Sequence, residues 1–327
     1  MTGSYVRMET DVAPAEIVVA EGADQVPEGD FLRDLAMVED PSVPGRYTME
    51  MSPAWNIFYT FGGMTMAAAL RAAQLGVARD DLHPLTAHAL FCAPVGAGPI
   101  EIDVDVVRNG RTAANVCADL RQVGHADTDL RLLATFGQHH DTHVTYQGID
   151  FPAGILPPDE CPQRPDPAEF SEARNPFPPV NFHQQNDWRP AAEGFTWEEN
   201  WGRGEVRDPS FSSWFRLFNE PRLPDGTIDP ISYCVPADML GPGIGRRMGP
   251  MSDDNPPFFI LSLEIDLQFF RSTTSSWILQ HIVSQEASNG YAFGTTELWD
   301  EDHHLIAFVT QRARLRPFTP GEQLGPR

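Results

Sequence analysis

Between positions 100 and 108, Ile100, Ile102, Val104 and Val106 alternate with Glu101, Asp103 and Asp105. A period of two puts every apolar side chain on one face, so the spacing predicts a strand with one buried and one wet side. Asn109-Gly110 follows and predicts a tight hairpin turn. Apolar runs over 84–93, 112–122 and 129–138 predict three more strands, and 46–51 predicts one upstream. Between 46–51 and 84–93 the period changes. Phe61-Gly62-Gly63 opens a segment in which Met64, Ala67, Ala68, Leu70, Ala72, Ala73 and Leu75 recur at helical spacing. Alanine favours the helix and leaves a small face that can pack closely on a sheet. Gly76 is the expected stop. One helix followed by an antiparallel meander predicts the α+β class.

The same grammar returns further on. Strands are expected over 195–206, 212–218, 258–271, 277–287, 290–299 and 305–316, with a short helix over 231–240 and a turn at 300–303. Leu132-Leu133-Ala134-Thr135-Phe136-Gly137-Gln138 is echoed by Leu305-Ile306-Ala307-Phe308-Val309-Thr310-Gln311. A repeat whose period exceeds about a hundred residues indicates a duplicated domain. Residues 151–190 between the halves are rich in proline, which cannot donate to a ladder, and are expected to form a semi-rigid linker. The expected organisation is a first unit over 1–150 with a loose acidic arm at 1–30, the linker, and a second unit over 191–327.

Composition narrows the function. The 327 residues carry 23 basic and 46 acidic side chains, a formal charge of −23. That opposes binding to nucleic acid or to an anionic membrane surface. No apolar run reaches the ~20 residues of a membrane helix, and the N-terminus lacks a secretory apolar stretch. The four cysteines, Cys92, Cys117, Cys161 and Cys234, have no metal-ligand spacing and fit a reducing cytoplasm. Cys92 and Cys117 are expected as small core residues. His139, His140 and His143 lack a second ligand cluster and are read as a solvated loop, so no metal and no cofactor is expected. Neither a nucleophile elbow nor a phosphate-binding glycine loop is present, and Gly241-Pro242-Gly243-Ile244-Gly245 lacks the context of a dinucleotide loop.

Several ordered motifs resemble the acyl-CoA thioesterase II family. Phe61-Gly62-Gly63 resembles the opening of that family's helix, and His88-Ala89-Leu90-Phe91-Cys92-Ala93-Pro94 its H-x-x-F-x-x-P strand. Arg108-Asn109-Gly110-Arg111 with Gln122-Val123-Gly124 resembles its R-D-G-R…Q-x-G hairpin. Ser262-Leu263-Glu264 with Phe269-Phe270-Arg271 resembles S-L-D…F-H-R, Trp277-Ile278-Leu279 resembles W-L-L, and Leu305-Ile306-Ala307 through Gln311 resembles the closing strand. The resemblance implies a double hot dog, two long helices each wrapped by an antiparallel sheet. It also implies cytoplasmic hydrolysis of a fatty or related acyl-CoA, and leaves homo-oligomerisation open.

The family's site combines an Asp, a Thr and a Gln from the second half, which activate water without a covalent intermediate. Carried over by motif, the Gln falls on Gln311, the Asp on Glu264 and the Thr on Gln285, which implies an altered catalytic set. Glu264 is the expected base, with Asp266 as its rival two residues on; alternation alone makes both solvent-facing strand residues. Gly62 and Gly63 offer free N–H groups and close approach at a helix start, where an oxyanion would be stabilised. His88 is either a substrate contact or a satisfied core histidine. An anionic CoA ester needs local positive charge, for which Arg246 and Arg247, or Arg312, Arg314 and Arg316, are candidates. The two altered positions motivate an alternative, a catalytically weak acyl-CoA or acyl-carrier binding protein. A hydratase would need an Asp beside His88 and is ranked last.

Overall fold

The computed structural model describes residues 28–140, 142, 144–164, 181–193, 195, 206–249 and 258–317. Most of the acidic arm, the middle of the proline-rich stretch, nearly all of the strand expected at 195–206, and His143 lie outside these residues.

The first half begins with a single helical turn, α1 (Phe31–Asp34), and the strands β1 (Val38–Glu39) and β2 (Arg46–Met51). It continues with helix α2 (Gly62–Val77) and strands β3 (His83–Phe91), β4 (Gly98–Asn109), β5 (Ala113–Gln122) and β6 (Leu130–Gly137). The second half contains β7 (Asn186–Pro190), β8 (Ser210–Leu217), a 3-10 turn (Pro230–Tyr233), α3 (Cys234–Ala237), α4 (Gly241–Met248), β9 (Phe258–Phe269), β10 (Ile278–Ser288), β11 (Tyr291–Trp299) and β12 (Leu305–Pro317).

The twelve strands among the described residues join one sheet in the order β1-β2-β4-β5-β6-β3-β9-β12-β11-β10-β8-β7. Position for position, the second half mirrors the first, and the echo between 132–138 and 305–311 falls on the matching strands β6 and β12. The halves meet where β3 runs antiparallel to β9, with His88 opposite Asp266.

Strand alternation sets the two faces. In β4, Ile100 and Ile102 are fully buried, and in β5 so are Ala114, Ala118 and Leu120. These side chains face α2, which is buried along most of its length, as a helix apolar on nearly all sides must be. The opposite face is polar. It carries an ion-pair ladder in which Arg121 reaches Glu101 at 3.0 Å and Asp103 at 2.8 Å, and Arg46 reaches Asp103 at 2.6 Å.

Several expectations are corrected. Gly76 does not end α2; a side chain there would collide with Val104, so the glycine serves packing. The helix ends instead at Ala78, which adopts the left-handed conformation with φ 53° and donates back to Gln74 and Leu75. A second long helix is absent among the described residues. The expected helix at 231–240 is a 3-10 turn, then the four residues of α3, then a break at Asp238 (φ −95°, ψ 54°). Pro236 and the Gly241-Pro242-Gly243 run explain the fragmentation. Of the cysteines expected in the core, Cys92 is exposed just beyond β3 and Cys117 is half-buried on the polar face of β5; Cys161 and Cys234 are the buried ones.

The proline-rich stretch also does more than span. It ends in β7, and its first part packs on the second half. There Ile149, Phe151, Ile155, Leu156 and Cys161 join Trp214, Trp277, Leu279 and Trp299 in a satellite core. The indole of Trp214 donates to the Leu156 carbonyl at 2.7 Å.

Candidate active site

At the break between α3 and α4 the chain turns Asp238 toward the start of α2. Three groups converge on its carboxylate. Ser262 Oγ, from β9, donates to Asp238 Oδ1 at 2.6 Å. Gln311 Nε2, from β12, donates to the same oxygen at 2.6 Å and to Ser262 Oγ at 2.8 Å. The backbone N–H of Gly63, in the first turn of α2, also bonds to Asp238. Gln311 Oε1 accepts the Leu240 N–H at 3.2 Å, which fixes its amide. Gln311 is 2% exposed.

Asp238 therefore acts as a capping carboxylate for a helix of the other half. No side chain within α2 caps that end, so its positive dipole and free N–H groups face the carboxylate. Even so, burial dominates and pushes the Asp238 carboxyl up to about 6, against the opposing hydrogen bonds from Ser262, Gln311 and Gly63. The residue keeps partial contact with solvent, so its proton can exchange.

Gly62 and Gly63 are required by this contact. A Cβ on Gly62 would run into Asp238 Oδ2 and come within 3.1 Å of the Phe91 ring. A Cβ on Gly63 would lie 2.8 Å from Val235 Cα and closer still to the Cys234 carbonyl oxygen. The two halves touch here through bare backbone.

The other expected residues lie elsewhere. Glu264 does not meet Gln311. It pairs with Arg312 across the ladder on the polar face, its side chain 45% exposed and 3.9 Å from the Arg312 guanidinium. Gln285 sits where the β10–β11 register slips and donates to Thr295 Oγ1 at 2.8 Å, exposed and outside the cluster. His88 does have an aspartate: its Nδ1 lies 3.5 Å from Asp266 Oδ2. That pair is on the polar face, opposite to buried Ala87 and Ala89, and Asp266 also accepts from Gln268 at 2.5 Å. It is not part of the Asp238 cluster. His139 stacks on His83 at 4.3 Å.

Sequence patterning does not reveal Asp238 or Ser262. Ser262 shares sequence parity with Glu264, yet the two point to opposite faces. The register passes from Arg312–Glu264 directly to Ala313–Ser262, so Leu263 has no partner on β12. Such a bulge re-aims the next side chain. A carboxylate just before a glycine-proline helix start was the available signal for Asp238.

An acyl-CoA thioesterase N-terminal domain model matches residues 51–137, and an acyl-CoA thioesterase C-terminal domain model matches 158–315. The chain belongs to the acyl-CoA thioesterase family. Its fold is that of hot dog proteins. A conserved protein of unknown function with a hot dog fold from Alicyclobacillus acidocaldarius superposes with TM-score 0.70 at 20% identity, covering 88% of this chain and 98% of that one. A putative thioesterase II from Thermobifida fusca YX gives 0.67 at 21%, covering 89% and 98%. The acyl-CoA thioesterase II TesB2 of Mycobacterium marinum gives 0.64 at 18%, covering 88% and 99%. No curated protein matches in sequence. Among the described helices of this thioesterase-family chain, none is long and apolar enough to cross a membrane.

Proposed function

We propose that the chain hydrolyses acyl-CoA thioesters at Asp238, Ser262 and Gln311. The observation that carries this is the half-enclosed Asp238 carboxylate, held by a hydroxyl and an amide against the glycine start of a helix from the other half. The resemblance implies an Asp, a Thr and a Gln; here the set is Asp, Ser and Gln, and serine keeps the hydroxyl that threonine would supply. With these types present, the motive for a binding-only protein disappears.

Asp238 Oδ1 accepts from Ser262 and Gln311, and the Gly63 N–H also bonds to the carboxylate; its remaining lone-pair capacity is what the attacking water would use. A carboxylate whose proton affinity lies near neutrality is ionised above pH 6 and still basic enough to accept a proton in the transition state. Asp238 takes one proton from water as the oxygen adds to the thioester carbonyl carbon. The carbonyl oxygen gains the charge, and the N-terminus of α2 stabilises it. Collapse breaks the carbon–sulfur bond, and the departing thiolate takes the proton from Asp238 to leave as CoA thiol. No covalent enzyme intermediate forms.

Arg312, Arg314 and Arg316 alternate with Gln311, Ala313 and Leu315 on β12 and so share the polar face. They concentrate positive charge in a strongly acidic chain, and we assign them to attraction of the CoA phosphates.

The reading is tested by a panel of acyl-CoA esters monitored for free thiol. Release of CoA from at least one acyl class at a rate above background is the expected result; a flat response across short, long and aromatic acyl groups would overturn it. Ser262→Ala should lower kcat about tenfold to a hundredfold, because Asp238 and Gln311 lose a shared partner but keep each other. Glu264→Gln should retain turnover within about twofold, since an exposed side chain on the opposite face perturbs the site little. A collapse of turnover in Glu264→Gln would move the base to the polar face.

A further inference from the structure

Gln280 is fully buried in β10 and touches neither Ser262 nor Gln311 by hydrogen bond. Its Oε1 accepts from the Trp188 indole at 3.2 Å and from Ser213 Oγ at 3.1 Å, while Nε2 donates to the Pro236 carbonyl at 2.7 Å. The chemistry fixes this orientation. An indole N–H can only donate and a carbonyl can only accept, so the amide cannot flip without losing both bonds.

Pro236 lies in the last turn of α3, two residues before Asp238. Carbonyls at a helix end have no partner within the helix and need one elsewhere. Gln280 supplies it at the point where the chain must stop being helical. On the other side of Asp238, Gln311 accepts the Leu240 N–H. Two glutamines, one from β10 and one from β12, thus grip the backbone on either side of the break.

We infer that Gln280 is a positioning residue, whose amide, set by Trp188 and Ser213, holds the α3–α4 break so that Asp238 points at the start of α2. This rests on the proposed role of Asp238. Trp188 lies in β7, the strand that ends the proline-rich stretch, so that stretch contributes the donor that locks the amide.

The experiment compares wild type with Gln280→Met, a neutral replacement of similar length, and with Trp188→Phe, which keeps the glutamine but removes the donor that orients it. Acyl-CoA turnover is measured well below the unfolding temperature. In Gln280→Met, kcat should fall at least about tenfold with KM within about twofold, as expected for a displaced reacting group. Trp188→Phe should show a smaller loss of the same kind, and it stands in if Gln280→Met does not fold. A readout independent of turnover is the infrared titration of the Asp238 carboxyl, identified by its absence in Asp238→Asn. Its midpoint should move upward as donors to the carboxylate are lost. Folded variants with unchanged kcat and an unchanged midpoint would overturn the positioning role. Absence of turnover in wild type, with the midpoint still shifted in the variants, would instead remove the proposed reaction and leave Gln280 in its place.

Discussion

Asp238→Asn should abolish most turnover and, at alkaline pH, make the protein more stable. The loss of activity follows from chemistry: the amide occupies the same space but cannot accept the proton of the attacking water. A drop in kcat of about a thousandfold is expected, within the range that general bases contribute. The gain in stability follows from linkage. The Asp238 carboxyl is raised to about 6 in the folded chain, above its ordinary 3.8. The folded state therefore binds more protons than the unfolded one between these values, and stability falls as pH rises through that window. As pH falls through and below 4 the unfolded state is protonated too, and the cost fades away. Above pH 6 it is fully present, about 2 kcal/mol once its remaining contact with water is allowed for. Asparagine never carries that charge. Urea denaturation should place Asp238→Asn about 2 kcal/mol above wild type at pH 8 and level with it at pH 4. A variant less stable than wild type at pH 8 would show that the carboxylate is solvated, which removes the physical basis for its raised proton affinity.

On the proposed mechanism, activity and stability oppose each other at one carboxylate. Among the described residues, only uncharged donors hold the buried negative charge at Asp238: the hydroxyl of Ser262, the amide of Gln311 and the N–H of Gly63. A guanidinium there would have stabilised the fold and depressed the basicity. Arginine is used instead further along α2, where Arg71 pairs with buried Asp229, which also caps the 3-10 turn through the Ile231 N–H at 3.0 Å. That pair ties α2 to the segment leading into Asp238 without placing a charge beside it.

The fold was legible wherever periodicity was regular. β4, β5, β6, β10, β11 and β12 fall within two residues of the runs that predicted them, because a strand with one buried face must alternate. Gln311 was legible through the resemblance of the closing strand, not through alternation, and the structure buries its side chain beside Val309 and Ala313 on the inner face of β12. Glu264 and Gln285 entered through the motif resemblance, not through periodicity; for Glu264 the alternation of β9 already gave the solvent-facing position that the structure shows. The bulge beside it re-aims Ser262, whose parity in the sequence therefore does not report its face. Asp238 was hidden differently. It belongs to no periodic element, and its partner surface comes from a helix about 175 residues earlier in the chain, so only three-dimensional packing gives it meaning. Trp188 and Gln280 were hidden by the proline content around the first and by the apolar run around the second.

Gly62 and Gly63 are neighbours, and alanine at each should fail differently. At Gly62 the new methyl meets side chains, Asp238 Oδ2 and the Phe91 ring. The carboxylate can rotate away, so the fold survives, but the base leaves its place. Gly62→Ala should therefore melt near wild type while kcat falls on the order of a hundredfold, the scale of a displaced reacting group. At Gly63 the methyl meets backbone, the Cys234 carbonyl and Val235 Cα at 2.8 Å. Neither can turn aside, so α2 and α3 must separate, and the Gly63 N–H leaves Asp238. Overpacking against fixed atoms costs about 1–3 kcal/mol, only partly offset by the helix preference of alanine over glycine, up to about 1 kcal/mol. Gly63→Ala should lose stability and activity together, and cooling should not restore turnover. Thermal melts and kcat measured side by side decide the matter. If Gly63→Ala melted like wild type and Gly62→Ala turned over normally, the helix start would not be pressed against the α3–α4 break, and the site built there would have no wall.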